Sequence, residues 1–199
     1  MARAIRTITD FKAKLQGGAA RPNLFEVSIP AFPASVSGWD DETFNFLCKS
    51  AALPASNVAQ IEVPFRGRIL KVAGDRTFDV WTVTVINDED FKLRTAFEQW
   101  MNQISKLDNA TGATNPGSYM VDAYVHQLGR GATKFSTSNT DSTTNVPLRT
   151  YRFYDIFPTN VSQIDLSYDT SDTIEEYTVD FQVQWWQAEG NDQTGTAIV

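Results

Sequence analysis

The side chains that could carry chemistry in this chain are few and stand far apart. The 199 residues include one cysteine, Cys48, and one histidine, His126. A catalytic triad or a zinc site needs several such groups to converge, and neither residue has a second histidine or cysteine at ligand spacing. We therefore interpret Cys48 as a small core residue, and we expect no catalytic or metal-binding role for His126.

Acidic residues occur in pairs and in one cluster, but their spacing favours neither catalysis nor metal binding. Asp40-Asp41 and Glu175-Glu176 are adjacent. Adjacent residues on a strand point to opposite faces, so their carboxylates would not converge as a glycosidase requires. Asp169, Asp172 and Glu175 could ligate calcium, although their spacing differs from the EF-hand pattern. A solvated turn is the favoured interpretation, and we expect neither a metal nor a cofactor.

The motifs of common enzyme classes are absent as well. The sequence contains no GxxxxGK[ST], no GxGxxG after a strand, no HExxH and no GxSxG. Trp185-Trp186 could form a platform on which a sugar stacks, and a carbohydrate-binding β-sandwich module is therefore an alternative. Against it, alternation along a strand sends at least one of the two rings into the core. The sequence thus favours a structural or binding module over an enzyme.

Composition narrows the class of protein further. The formal net charge is −7 and the pI is near 4.7, which argues against a protein that grips nucleic acid through clustered Lys and Arg. A single cysteine fits a reducing cytoplasm. Charged residues interrupt every apolar run near the N-terminus, and no segment approaches the roughly 18 apolar residues of a membrane helix. We expect a soluble chain that is made in the cytoplasm and has no membrane anchor.

The elements that must position these residues are mostly β-strands. Alternation of apolar and polar residues predicts strands over 24–29, 43–49, 119–128, 148–157, 164–168 and 175–185. Pro158-Thr159-Asn160 is expected to separate two of them. A surface loop is predicted over 30–42, and the polar residues 129–147 are predicted to form a flexible loop.

The stretch from Val63 to Val85 is the organising element. It is predicted to contain two strands joined by a turn at Gly74-Asp75, since glycine accepts positive φ and aspartate can bond its own backbone. Bulky residues on both faces of the second strand suggest that one face meets the core and the other a neighbouring subunit.

One long amphipathic helix is predicted over residues 88–107. Asn87 or Asp88 is expected to cap it. Its apolar stripe should cover one end of the β core; the residues of that stripe are Leu93, Phe97, Trp100, Met101 and Ile104. A shorter helix is possible over residues 4–15, either packed on its own domain or resting on a neighbour.

Three motifs resemble those of one known family, and they occur along the chain in the order that the family has. KVAGDRTFDVWTVTV (residues 71–85) is followed by Asn87-Asp88, ARPNLFEV lies upstream at residues 20–27, and FPTNVSQIDLSYD lies downstream at residues 157–169. Together they resemble the tail tube proteins of contractile-tailed bacteriophages, which are related to the tube proteins of type VI secretion. The resemblance extends from about Ala20 to Trp186.

The resemblance implies a mainly β fold: an antiparallel β-sandwich or barrel with one flanking helix, which contributes strands to a ring-shaped oligomeric β-barrel. Residues 1–19 would be an arm, 20–187 the β domain and 188–199 a tail. Hexameric rings would stack into the inner tube of a virion tail through which DNA passes without specific binding. Expected partners are further copies of the chain and the sheath, baseplate, tail terminator and tape measure proteins. A tube protein of a phage-derived contractile injection particle is an alternative.

The resemblance also suggests where subunits meet. The long segment around the Gly74-Asp75 turn would reach toward adjacent subunits, although a basic strand edge that merely discourages aggregation would look the same in sequence. The candidate interface residues are Phe65, Arg66, Arg68, Lys71, Asp75, Arg76, Phe78 and Trp81. Acidic residues that alternate with apolar ones on the last two predicted strands are the candidates for the channel wall. They are Asp165, Asp169, Glu176 and Asp180.

Overall fold

The structure is a computed structural model that describes residues 7–15, 19–130, 147–169 and 171–189. It is mostly antiparallel β-sheet with three α-helices and one short 3-10 helix at Pro116–Ser118. The strands are β1 (Phe25–Ser28), β2 (Cys48–Ala51), β3 (Ser56–Phe65), β4 (Arg68–Phe78), β5 (Trp81–Ile86), β6 (Val121–Leu128), β7 (Pro147–Val161), β8 (Glu176–Gln182) and β9 (Trp185–Glu189). The helices are α1 (Ile8–Lys14), α2 (Asp41–Leu47) and α3 (Lys92–Ile104).

Seven strands form one sheet in the order β1-β6-β7-β8-β5-β2, with β9 paired to β7, and β3 and β4 form a separate two-stranded sheet. The chain divides into a larger compact unit (27–124 and 152–187) and a smaller one (1–26, 125–151 and 188–199). Much of the predicted arm 1–19, most of the predicted loop 129–147 and nearly all of the predicted tail 188–199 lie outside the described residues.

The core of the larger unit forms between α3 and one face of the β5–β8 pair. Trp81, Val83 and Val85 lie opposite Phe181, Val179 and Tyr177 in the antiparallel register, and all six are buried. Directly opposed residues share a face, so this pairing produces one continuous apolar surface. The α3 residues Phe97 and Trp100 place their rings 5.9 and 6.0 Å from the ring of Phe181. The predicted apolar stripe and its contact with the β core are confirmed.

Helix α3 begins later than predicted. It spans Lys92–Ile104, and its N-cap is Phe91, which has φ of 52° and provides no side-chain cap. Asn87 donates instead through Nδ2 to Glu175 Oε1 at 2.6 Å, and Asp88 accepts from the Phe91 amide at 3.0 Å in a turn. The prediction that Asn87 or Asp88 caps the helix is therefore wrong, because the helix starts at Lys92 and both side chains bond elsewhere, Asn87 to Glu175 and Asp88 to the Glu89 amide.

Residues 41–47 form helix α2 rather than the predicted strand. Asp40 caps it by accepting from the Glu42 amide, and Asp41 accepts from Ser28 Oγ and from the Ile29 amide, both at 2.6 Å. Phe44 and Cys48 stand four residues apart, a spacing that keeps two side chains on one face of a helix as well as of a strand. The aspartates at the N-terminus decide between these alternatives in favour of the helix.

The predicted surface loop at residues 30–42 contributes to the core. The ring of Phe32 stacks on Trp39 with centroids 4.0 Å apart and meets the edge of Trp100 at 4.6 Å. Trp39 donates through Nε1 to the carbonyl of Ile29 at 3.1 Å. The glycine and prolines of this segment do interrupt regular structure, but its two aromatic residues fold back over α3.

The last part of the β domain also differs from the predicted strands. β7 continues through Pro158-Thr159-Asn160 with a register shift against β8, and residues 162–167 form no strand. The predicted strand at 164–168 is therefore wrong. After β8 the chain bends, so Trp185 is partly exposed and its ring stacks on Tyr154 at 3.7 Å.

The smaller unit is held by backbone and side-chain bonds between its segments. The Leu128 amide donates to the Leu24 carbonyl at 2.9 Å, and Gln127 Nε2 donates to the carbonyls of Arg21 and Leu24. His126 Nδ1 lies 2.9 Å from Thr150 Oγ1. The predicted N-terminal helix is confirmed over Ile8–Lys14, where Thr7 and Asp10 form a capping box and no residue is buried.

Candidate subunit interface

The β3–β4 hairpin is a long regular element that is almost entirely exposed. Its strands are ten and eleven residues long, they pair only with each other, and all their residues except Gly74 and Phe78 are exposed. An isolated two-stranded hairpin is at best marginally stable in water. A long hairpin with large apolar side chains in solvent therefore indicates a surface that another molecule covers.

A two-residue turn at Arg66-Gly67 connects the strands. Both residues have positive φ, 45° and 82°, between the opposed residues Phe65 and Arg68. This is the turn geometry that matches the natural twist of a hairpin. The predicted turn at Gly74-Asp75 is wrong, because both residues lie inside β4. A Cβ on Gly74 would lie 3.1 Å from the Ala59 carbonyl oxygen, where the register shifts, so glycine here permits a close approach of strands rather than a turn.

The two faces of the hairpin differ in chemistry. Val63 opposes Leu70 and Ile61 opposes Val72, and Phe65 continues the same face at the tip because side chains alternate along a strand. These five residues are 44–67% exposed, and we call them the apolar hairpin face. The other face is mixed: Glu62 opposes Lys71, with Nζ 3.8 Å from Oε1, and Pro64 opposes Ile69, which is 59% exposed.

The hairpin is positively charged, although the chain as a whole is negative. It carries four basic residues and two acidic ones; these are Arg66, Arg68, Lys71, Arg76, Glu62 and Asp75. Arg66 lies over the ring of Phe65 with Cζ 5.4 Å from the centroid, which places a cation at the tip. The tip of the hairpin therefore presents the ring of Phe65 flanked by Arg66 and Arg68.

The structure brings most of the predicted interface residues together on this hairpin. Six of them lie along its exposed strands and turn: Phe65, Arg66, Arg68, Lys71, Asp75 and Arg76. Phe78 is half-buried at the base, 6.2 Å from the ring of Trp186. Trp81 requires a correction, because it is fully buried in the protein's own core and stacks on Phe153 at 4.7 Å.

Sequence reasoning missed how far the exposed surface extends. Ile61, Val63, Leu70 and Val72 are not among the predicted interface residues, although all four are exposed on the hairpin. The sequence does indicate this hairpin, because apolar residues recur at every second position on both sides of Arg66-Gly67. Gly74-Asp75 obscured it, because glycine followed by aspartate is also a common turn pair.

The candidate channel residues divide into two pairs. Glu176 and Asp180 lie on the face of β8 opposite to the buried Tyr177 and Val179, as alternation predicts. Thr82 Oγ1 donates to Asp180 Oδ1 at 2.6 Å, and Lys49 Nζ lies 2.6 Å from Glu176 Oε1. The exposed Asp165 and Asp169 lie outside any strand, so alternation no longer supports their placement beside this pair.

Other groups considered for chemistry do not converge within the described residues. No group of three or more His, Cys, Asp or Glu side chains there could hold a metal ion. Cys48 is buried, and desolvation raises the pKa of its thiol to about 12. One ring face of Trp185 is covered by Tyr154, which weakens the sugar-platform alternative. None of the helices that the structure describes is long and apolar enough to cross a membrane.

Comparisons with known proteins agree with the sequence motifs. The model of a family described as phage tail tube protein matches residues 20–189. The tail tube protein gp19 of Enterobacteria phage T4 is 34% identical over 171 residues, which cover 86% of this chain and 93% of that protein.

Solved structures share the fold at low sequence identity. A chain in the 6-fold symmetrised structure of the anti-feeding prophage baseplate has a TM-score of 0.60 and 11% identity, covering 87% of this chain and 97% of that one. A chain in the sheath/tube terminator structure of an extracellular contractile injection system in its extended state has a TM-score of 0.57 and 15% identity, with 86% and 97% covered.

Proposed function

Because this chain belongs to the phage tail tube protein family, a family of structural virion proteins rather than enzymes, we propose that its protomers form six-membered rings that stack into the inner tube of a contractile tail. Viral DNA would pass through that tube. The observation that carries the proposal is the β3–β4 hairpin, which exposes an apolar face that nothing in the described part of the chain covers.

Exposure of this apolar face to water is unfavourable. Each large aliphatic side chain that leaves water contributes about 1.5–3 kcal/mol, so covering the apolar hairpin face with a neighbouring subunit would strongly favour assembly. The hairpin differs from the surface that it would contact, and such a head-to-tail contact generates a closed ring or an open stack. Its residues Phe65, Arg66, Arg68, Lys71, Asp75, Arg76 and, at the base, Phe78 are the proposed contacts.

The open edge of the seven-stranded sheet also favours assembly into a ring. β2 is a terminal strand of the seven-stranded sheet, and only four residues long. An open edge is a site of uncontrolled pairing unless it is covered or joined to another strand. Pairing of sheet edges between neighbours in a ring would close a barrel and remove those edges. The barrel would then be a property of the ring, to which each protomer contributes part of the wall.

The polar face of the same sheet is suited to line the channel. Glu176 and Asp180 stand on it beside Thr82, Thr84 and Thr178, away from the core. Duplex DNA carries about one negative charge per 1.7 Å, so a wall of uncharged-polar and acidic residues, in which Lys49 is paired with Glu176, would not bind it. The proposal for the channel covers Asp180 and, at the end of the strand beside the groove of the next subsection, Glu176; Asp165 belongs to that groove, and Asp169 is assigned to neither surface.

Partners follow from the assemblies in which similar folds occur. The similar chains come from a baseplate structure and from a sheath/tube terminator structure. We propose that this chain contacts a sheath along the outside of the tube and a baseplate and a terminator at its ends, and that the tube encloses a tape measure protein. The same fold likeness favours, as a second candidate, the tube of a phage-derived contractile injection particle.

The test is assembly of the purified chain, followed by sedimentation and negative-stain electron microscopy over a range of concentrations, with and without a purified baseplate as a nucleus. We expect rings or tubes with a central hole. Leu70→Ser should raise the concentration needed for assembly about tenfold or more, since it removes about 2 kcal/mol of apolar burial at the interface.

The matched control is Leu107→Ser. Leu107 is 96% exposed and lies outside the hairpin, so the same change of side chain there should leave assembly unaltered. Equal effects of the two substitutions would contradict the role of the hairpin. A wild-type chain that stays monomeric even with the nucleus present would contradict the tube itself.

A further inference from the structure

A groove opens at the start of β8, away from the hairpin. Residues 163–168 and 173–176 line it, and its volume is about 680 Å³. Leu166 and Ile174 are 84% and 71% exposed in its walls, and Tyr168 is fully exposed. Three large apolar side chains in solvent around one concave surface are a second uncovered apolar surface, separate from the hairpin. We call it the acidic groove, because Asp165, Glu175 and Glu176 also line it.

The charges of this groove are all negative. Asp165, Glu175 and Glu176 line it, and no Lys or Arg does. Asp165 accepts from Gln163 Nε2 at 3.2 Å, and Glu175 accepts from Asn87 Nδ2 at 2.6 Å, so both receive bonds from neutral amides. Glu176 is paired with Lys49 from β2. The field in the groove therefore favours a basic ligand, chiefly through Asp165 and Glu175.

The hairpin and the groove lie at opposite ends of the β5–β8 pair. Trp81, which follows the hairpin, opposes Phe181, whereas Ile86 opposes Glu176 at the edge of the groove. Six strand residues separate the two ends by about 17 Å. The base of the hairpin and the groove thus stand at the head and the tail of the same structural element.

We propose that the acidic groove receives the tip of the β3–β4 hairpin of a second copy of this chain. Phe65 would lie against Leu166, Tyr168 and Ile174, and Arg66 and Arg68 would approach Asp165 and Glu175. The inference rests on the proposed tube function and makes it specific, because it names the two surfaces that meet. A donor at one end of β5–β8 and an acceptor at the other make the contact head-to-tail, which extends without closing between two copies.

The complementarity has both an apolar and a charged part. The tip offers one exposed aromatic ring between arginines, and the groove offers exposed apolar walls between carboxylates. Arginine also pairs with carboxylates in a planar two-bond geometry, which would fix the register of the tip in the groove. The tip is narrow, since its two strands are about 4.8 Å apart. It would therefore insert into the acidic groove with its turn first.

Two experiments on the full chain test this contact. In the first, Phe65→Cys and Leu166→Cys are combined, and the protein is oxidised under assembling conditions. Both positions are exposed, so the fold should tolerate the changes. We expect a ladder of disulfide-linked multimers on a non-reducing gel. Phe65→Cys with Leu107→Cys is the matched control and should give no ladder; native Cys48 is buried and its thiol stays protonated.

The second experiment exchanges charges. Arg68→Glu should raise the assembly concentration at least tenfold, and adding Asp165→Arg should restore assembly to within about threefold of wild type, because the attraction is re-formed with its signs reversed. Arg68→Glu with Asp108→Arg has the same net charge but leaves the groove unchanged, and it should not restore assembly.

The outcomes separate the two proposals. A wild-type chain that forms tubes, together with variants that show neither the ladder nor the rescue, would overturn the groove assignment and leave the tube function intact. A ladder in the Leu107→Cys control equal to that of Leu166→Cys would overturn it as well. Failure of the wild type to assemble with a baseplate nucleus would remove the tube function and this contact together.

Discussion

Cys48 is a residue whose acid–base behaviour changes strongly on folding. It is 6% exposed, and burial raises the pKa of its thiol from 9.0 to about 12, against a smaller opposite effect of a backbone hydrogen bond of Ser50. Burial also raises the pKa of the Tyr177 hydroxyl, although the nearby Arg94 counteracts part of the shift. Both groups are neutral in the folded chain at neutral pH, so neither contributes charge to the core.

The raised pKa of Cys48 predicts a loss of stability in alkali. Above pH 9.0 the unfolded thiol releases its proton, whereas the folded thiol keeps it until about pH 12. The contribution of Cys48 to the free energy of unfolding should therefore be constant below pH 9 and fall by up to about 1.4 kcal/mol for each pH unit between 9 and 12. Urea unfolding between pH 7 and pH 11 measures this slope.

The control for this prediction is Cys48→Ala. That variant loses packing at every pH but retains Tyr177, so its stability should decline less steeply above pH 9 than that of the wild type. The difference between the two curves isolates the thiol. Parallel curves would show that Cys48 ionises as easily in the folded chain as in the unfolded one.

The Arg66-Gly67 turn determines whether the β3–β4 hairpin keeps its shape. Gly67 has φ of +82° with open space around it, and Gly38, in the loop before α2, has φ of +81° with equally open space. An alanine at either position meets no neighbour but pays about 1–2 kcal/mol for a left-handed backbone. Any difference between the two substitutions must therefore come from the element that each turn supports.

We predict that Gly67→Ala lowers hydrogen-exchange protection of hairpin amides about 5–30-fold and weakens assembly. Gly38→Ala should affect its own loop and leave the hairpin unchanged. Gly67→Asn should recover much of the protection, because asparagine tolerates positive φ better than alanine. Equal protection of the hairpin in wild type and Gly67→Ala would contradict the turn geometry.

The elements differ in how well the sequence predicts them, and the reasons are physical. β5, β8 and α3 were predictable because one face of each is buried, which imposes a clear period on apolar residues such as Val83, Val179 and Phe97. Helix α2 was not, because Phe44 and Cys48 share a face in either structure. Its identity depends on Asp40 and Asp41, whose capping and cross-chain bonds only the fold reveals.

The sequence predicts where the candidate subunit interface lies but not how far it extends. Most of the predicted interface residues are exposed on the hairpin, yet Trp81 is buried, because a strand with bulky residues on alternate positions does not show which face is the core. Strand 164–168 failed for a related reason. Its alternating Ile164, Leu166 and Tyr168 have no core to meet, and Leu166 and Tyr168 instead stand in solvent around the acidic groove.

Assembly would give the exposed surfaces of this chain separate tasks. The apolar hairpin face and the acidic groove would both be buried between copies, so that charge on them would set register rather than act on DNA. The polar face of β8 would remain wet, because its side chains already bond to one another; Asp180 accepts from Thr82 and from Asn160 Nδ2. In an assembled tube, only this last surface should respond to the charge of the cargo.

The final prediction tests that division of tasks. Asp180→Lys, at a position on β8 outside the acidic groove, should leave tubes that retain double-stranded DNA at low salt, since each new lysine attracts phosphates that the carboxylate repels. Retention should weaken steeply as salt rises, because the binding releases counterions. The measurement is the salt concentration at which labelled DNA leaves the assembled tubes.

Asp108→Lys provides a control with the same change of net charge at an exposed position outside β8. If net charge alone caused retention, both variants would hold DNA to the same salt concentration, and the assignment of the β8 face to the channel would be wrong. Binding that appears only in the β8 variant, and only after assembly, requires the new lysines to surround the DNA. That result is expected of a closed ring with this face inside, because the lysines of all the protomers then face one DNA molecule.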